Sequence, residues 1–188
     1  MSYGIARAEA IDLVHEHIKN ENMFKHCLAS EAVMRKLATH LEEDVEKWGL
    51  AGLLHDLDAE THPDLDHHTH ETVKVLNELG VDSEIVEAIR LHNLQAHPGE
   101  ERNTVFQHAL AAGETITGLV IATALVYPDK RLSSVKPKSV KKRYKEKAFA
   151  RGARREIIAE CENFGMQVPE FCELSLEALK EISDELGL

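Results

Sequence analysis

Apolar residues recur along most of the chain at spacings of three and four, and no stretch sustains an apolar/polar alternation, so the pattern predicts an all-α fold. Helices are expected over about residues 7–20, 23–39 and 42–55, the second carrying Phe24, Leu28, Val33 and Leu37 on one stripe. Asp66 precedes a helix over 67–79 that closes at Gly80, a residue suited to a left-handed C-terminal turn. Asp82-Ser83-Glu84 opens the next, placing acids and a hydroxyl where free amides and the helix dipole favour them, and it runs to about Asn93. Residues 94–102 read as a loop. The most apolar helix spans about 104–126 and is expected to be buried on nearly every face, with Tyr127-Pro128-Asp129 ending it. Two short helices split near Pro137 and Gly152 follow, and a last helix over 174–186 comes after Pro169.

At 188 residues, 43% hydrophobic and 29% charged, the chain fits one globular domain able to fold without staples, and it contains no internal repeat or linker that would separate two. No apolar run approaches the roughly 20 residues of a membrane span and the N-terminus lacks a secretory pattern, so a cytosolic protein with no membrane partner is expected. Cys27, Cys161 and Cys172 are odd in number and share no CxxC spacing, which points to core thiols rather than a disulfide framework.

Charge changes the picture in one place. The chain carries −11 overall, which opposes nonspecific nucleic-acid binding, yet residues 130–155 hold 12 of the 22 basic residues and a single acid, Glu146. That segment carries +11 and the rest of the chain −22. It is a candidate anion site, with Lys138, Lys141 and Lys142 at one-turn spacing as candidate substrate-binding residues. Alternatives are pairing with Glu42, Glu43 and Asp44, or with a second subunit in a homo-oligomer. RNA binding is a weaker alternative, because few aromatics stand near these lysines to stack bases.

Twelve histidines are the other oddity, several of them between His55 and His97 among dense acids. His26 shares a stripe with Ala29, Val33 and Leu37, and His55 shares one with Trp48, Ala51 and Gly52. His68 aligns with Thr72, Val75, Leu76 and Leu79, His92 with Ile85, Ala88 and Ile89, and Glu114 with Leu110, Thr117 and Ile121. Imidazoles and a carboxylate directed into an apolar interior are costly to desolvate, and one shared cation compensates several of them at once. His15, His17, His40, His62, His67, His70, His97 and His108 read as surface or satisfied histidines.

His26, then His55-Asp56 in Ala51-Gly-Leu-Leu-His-Asp-Leu-Asp58, then Glu114 near the start of a buried helix resembles the H…HD…D signature of the HD superfamily of metal-dependent phosphohydrolases. The resemblance covers roughly residues 20–125 as an HD core, with 126–188 as a helical extension. It is closest to small bacterial single-domain members. It implies a helical bundle with a metal site at its centre, in which His26, His55, Asp56 and Glu114 hold one ion. Asp56, the catalytic candidate, would bridge to a second ion held by His68 and His92. One or two divalent ions are implied, and mixed nitrogen and oxygen ligands suit Mn, Fe, Ni, Zn or Mg. The implied activity is hydrolysis of a phosphomonoester or phosphodiester on a small substrate, a nucleotide by preference. Two positions depart from the pattern: Glu114 stands where Asp is usual, and Asn93 follows His92 where some two-metal members carry a second His. The departure at Glu114 motivates a rival reading, a non-catalytic HD-fold module for signalling or protein contacts.

Overall fold

Short polar side chains mark several of the helix starts. In the computed structural model, which describes residues 3–188, Asn20 accepts from the amides of Asn22 and Met23 to open α2 (Glu21–Leu41), after α1 (Arg7–His17). Asp44 caps α3 (Val45–Leu54), and Asp82 caps α5 (Ser83–His92), which follows α4 (His70–Glu78). The Thr104 side chain bonds the Gln107 amide, and the Gln107 side chain reaches back to the Thr104 amide, so a reciprocal pair opens α6 (Val105–Leu125). After it come α7 (Pro137–Lys145), α8 (Arg155–Ile158), α9 (Val168–Glu181) and α10 (Ser183–Leu186), joined by turns that include a 3-10 segment over Ala159–Phe164. The fold is all-α, with no strand among the described residues.

Helix α6 runs through the middle, packed by α2, α5, α8 and α9, with α3 laid along α2. By length and composition it could cross a membrane, but 67% of its most apolar window is buried inside the protein. Its exposed large apolar residues lie at the two ends, Val105 at the start and Leu125 with the following Val126 at the finish. Close helix approach depends on small residues. A Cβ on Gly52 would lie 2.6 Å from the Ser30 carbonyl oxygen, and one on Gly113 would lie 3.0 Å from Met34 Sδ, so α3 and α6 both sit hard against α2. That contact brings the C-terminal end of α3 beside His26. The buried apolar side chains form one cluster from Ala10 to Leu186, including the three cysteines, which are buried and free.

Two elements differ from the sequence expectation. The helix expected over 67–79 begins at His70, because residues 55–69 form a run of turns and His68 stands ahead of the helix rather than on its stripe. Leu79, assigned to that stripe, is exposed. The last helix begins at Val168 rather than 174: Pro169 falls in its first turn, where a missing amide hydrogen costs nothing, so it starts the helix instead of preceding it.

Candidate metal centre

Four histidine rings converge on one carboxylate. Asp56 Oδ2 lies 3.3 Å from His55 Nε2 and 3.5 Å from His26 Nε2, while Oδ1 lies 3.0 Å from His68 Nε2 and 3.6 Å from His92 Nε2. The carboxylate thus divides its oxygens between two groups able to hold a cation, His26–His55–Asp56 and Asp56–His68–His92. Glu114 approaches the first, its Oε2 3.8 Å from His26 Nε2, while the Thr115 hydroxyl donates to Oε1. His26 comes from α2, the His55–Asp56 pair from the end of α3, His92 from the last residue of α5 and Glu114 from the middle of α6.

The other ring nitrogen of every histidine is tied down. Nδ1 of His55 faces the Gly52 carbonyl at 2.9 Å and that of His92 the Ile89 carbonyl at 2.7 Å; both must donate, since a carbonyl only accepts. His68 Nδ1 donates to Asp58 Oδ1 at 2.7 Å. His26 Nδ1 lies 3.0 Å from Thr117 Oγ1, whose single hydrogen is given to the Glu114 carbonyl at 2.6 Å, so the histidine is again the donor. All four Nδ1 atoms carry hydrogen and all four Nε2 lone pairs point inward, the arrangement that fixes metal-ligating imidazoles.

These lone pairs face one another closely: Nε2 atoms are 3.1 Å apart in the His26/His55 pair and 3.2 Å apart in the His68/His92 pair. Two neutral nitrogens at that distance repel unless a cation or a proton lies between them. Ligand atoms about 2.0–2.1 Å from one ion and at right angles to each other are separated by about 3 Å. The donor set therefore fits a divalent ion on each side of Asp56.

Electrostatics agree with this chemistry. Burial lowers the pKa of His26 and of His92 to about 4, leaving both neutral and ready to coordinate. Asp56 resists its own burial because the charge of His55 and the hydrogen bonds of His55, His68 and His92 hold it well below the usual carboxylate range. Burial also pulls His68 down, but hydrogen bonds to Asp56 and Asp58 outweigh it and raise the ring to about 10, so without a cation a proton occupies that side. Burial raises Glu114 to about 7. The centre is closed around His55 and His92 and opens at His26 and Glu114, whose side chains are 23% and 18% exposed.

Asp58 is a contributor that pattern reading missed. Only 1% exposed, it accepts from the amides of Thr69, Glu71 and Thr72 as well as from His68, and so caps α4 and aims the imidazole at once. Thr69 beside it holds φ +94°, a region that a β-branched residue rarely enters. Asn93 steadies the same turns through the Leu65 and His68 carbonyls. The available signal was Asp58 itself, an acid two positions after Asp56 in an otherwise apolar run.

Lys138, Lys141 and Lys142 are not brought to the centre. Lys141 Nζ bonds Glu173 on α9 at 2.8 Å, and Lys142 lies 3.9 Å from Glu146. None of the three makes a hydrogen bond or ion pair with the cluster among the described residues. Lys141 thus lies against α9, and Lys142 lines a cleft with Val126 and Tyr127 at the end of α6. Nor do Glu42, Glu43 or Asp44 pair with the basic segment: Asp44 bonds Tyr3 and the Lys47 amide.

The HD domain model matches residues 23–124, more than half of the chain. The chain belongs to the HD domain family, a superfamily of metal-dependent phosphohydrolases. Neither the curated proteins nor the solved structures contain a significant match to the sequence. All six candidate ligands fall inside the matched span, and the basic segment falls outside it.

Proposed function

We propose that the protein is a phosphohydrolase that uses two divalent ions bridged by Asp56 to cleave a phosphomonoester or phosphodiester, with a nucleotide as the preferred substrate. The observation that carries this reading is the divided carboxylate, one oxygen of Asp56 facing His26 and His55 and the other facing His68 and His92. His26, His55, Asp56 and Glu114 would hold one ion and Asp56, His68 and His92 the other, drawn from Mn, Fe, Ni, Zn or Mg. When bound, such ions supply Lewis acidity toward phosphoryl oxygens and a water acidic enough to lose a proton near neutral pH.

The chain's own residues do the rest. Asp56 would offer one carboxylate oxygen to each ion from a buried position. The Thr117, Gly52, Asp58 and Ile89 acceptors keep each imidazole in one tautomer and one orientation. Glu114, at the open edge, has a pKa near 7 that suits proton exchange with water at the mouth when it is not ligating. The non-catalytic alternative rests on Glu114 standing for Asp, but its longer side chain reaches within 3.8 Å of His26.

The test is metal content of the purified protein, followed by assay of the Mn-, Ni-, Fe- and Zn-loaded forms against nitrophenyl phosphates and a nucleotide panel. Turnover that Asp56→Asn abolishes is expected. Protein that binds no metal, or that stays inert with every one, contradicts the reading.

A further inference from the structure

One feature of the basic segment lies apart from its lysine face and close to the metal centre. Beyond α7 the chain turns through residues 146–154 before α8, and this loop is wound around a single guanidinium. Arg155 donates to the carbonyls of Arg143, Tyr144, Glu146, Phe149, Ala150 and Ala153, so its charge is spent on holding the loop in shape. Six carbonyls around one planar donor fork specify a rigid loop that lysine could not organise.

That loop presents Lys147, Arg151 and Arg154 outward, all three exposed and without an ion-pair partner among the described residues. With Tyr144 and Glu156 they line a cleft of about 460 Å³. Three unpaired cations against one acid leave it positive in a protein that is otherwise acidic. Its position matters as much as its charge. Ala153 in the cleft wall lies 3.9 Å from the point a Cβ on Gly118 would occupy, and Gly118 is four residues, about 6 Å of helix, beyond Glu114. Beside the centre, Arg102 donates to the His92 carbonyl and pairs at 2.6 Å with Glu160, on the 3-10 segment into which α8 runs and whose first residue, Ala159, lines the cleft.

We propose that this cleft is an anion subsite next to the metal centre, in which Arg151 and Arg154 receive a second phosphate of the substrate while the first is cleaved. The substrate class is then a compound with two phosphoryl groups rather than a lone phosphomonoester. Guanidinium forks are suited to this, since they pair with phosphate oxygens in twos. This reading rests on the proposed hydrolase function, but its binding half does not need turnover.

The test has two arms. Metal-free protein is titrated with inorganic phosphate and with pyrophosphate, following the backbone amides of residues 146–156 by NMR. Both anions should shift those amides, and Arg151→Ala and Arg154→Ala should each weaken binding about five- to tenfold, while Lys138→Ala, which removes an equal charge from the other face, should not. In the metal-loaded protein, adenosine 3′,5′-bisphosphate and nitrophenyl phosphate are compared. The two Arg variants should lose about five- to tenfold more kcat/KM on the bisphosphate, through KM. Phosphate affinity unchanged in both Arg variants, or reduced equally by Lys138→Ala, overturns the subsite whether or not the protein hydrolyses anything. Normal anion binding at the loop with no bisphosphate preference in an active enzyme overturns its role in the substrate.

Discussion

On one side of Asp56 the ligating groups are carried by helices; on the other they depend on a turn. His26, His55 and Glu114 come from α2, α3 and α6, which are locked together by the Gly52 and Gly113 contacts and by the core that surrounds them. His68 stands in a non-helical run between α3 and α4, held by Asp58, with Thr69 at an unfavourable φ beside it. The first half is fixed by packing; the second joins His92, at the end of α5, to a His68 aimed by one polar hub. The first also opens to solvent while the second is closed, so substrate would enter on the rigid side.

The comparison is broken most completely at the residue both halves share. Asp56→Asn should remove ions from both sides and lower hydrolysis by more than about 100-fold, beyond the 10–100-fold range seen when only an outer hydrogen-bond partner of a ligand is lost; bound metal and turnover check it together. Asp58→Asn should act on one half. It weakens the acceptor of His68 and of three α4 amides, so affinity for the second ion should fall about 10–100-fold and stability by about 1–3 kcal/mol, with the first ion retained. Metal titration and denaturant unfolding separate the two effects.

The pH dependence sharpens the contrast more gently. In the metal-free protein the His68 ring is raised from 6.5 to about 10, so its protonation stabilises the fold fully below 6.5 and that stability is lost as pH rises through 10. Glu114, raised to about 7, loses its contribution earlier, between about 4.5 and 7. From pH 7 to 9 the turn-held half should therefore weaken, joined on the helix-borne side by His55, whose ring is raised above its ordinary value because Asp56 outweighs the cost of its burial; a bound cation takes the place of the proton. The rise in Tm on adding Mn should grow over that range in the native protein and grow less in His68→Gln, as thermal melts with and without metal will show. The smallest effect is expected far from both halves: Lys141→Ala removes an ion pair with Glu173 that is partly exposed, costs under about 1 kcal/mol, and leaves metal binding unchanged.

The helix-borne ligands, His92 of the second side among them, were readable in the amino-acid pattern because helical periodicity fixes which face a side chain occupies. His26, His55, His92 and Glu114 sit on apolar stripes, and the structure places each at the end or on the buried face of its helix. The turn-borne half was not readable in the same way. His68 matches a stripe only if α4 is extended backward through residues that instead fold around Asp58, a long-range bond that local periodicity does not contain. Charge density located the basic segment but not its working face. Of the lysines at one-turn spacing, Lys141 pairs with Glu173 on α9 and Lys142 lies near Glu146, whereas the orientation of Arg151 and Arg154 depends on six carbonyls gathered by Arg155, a loop geometry with no periodic signature.

The central claim is that two cations share Asp56. Crystals of the protein loaded with Mn or Zn, with anomalous diffraction recorded at the metal edge, test it directly. The account predicts two peaks roughly 3.5–4 Å apart, one against His26, His55 and Glu114 and the other against His68 and His92, with Asp56 touching both. Peaks placed elsewhere, or none at this carboxylate under saturating metal, would contradict it.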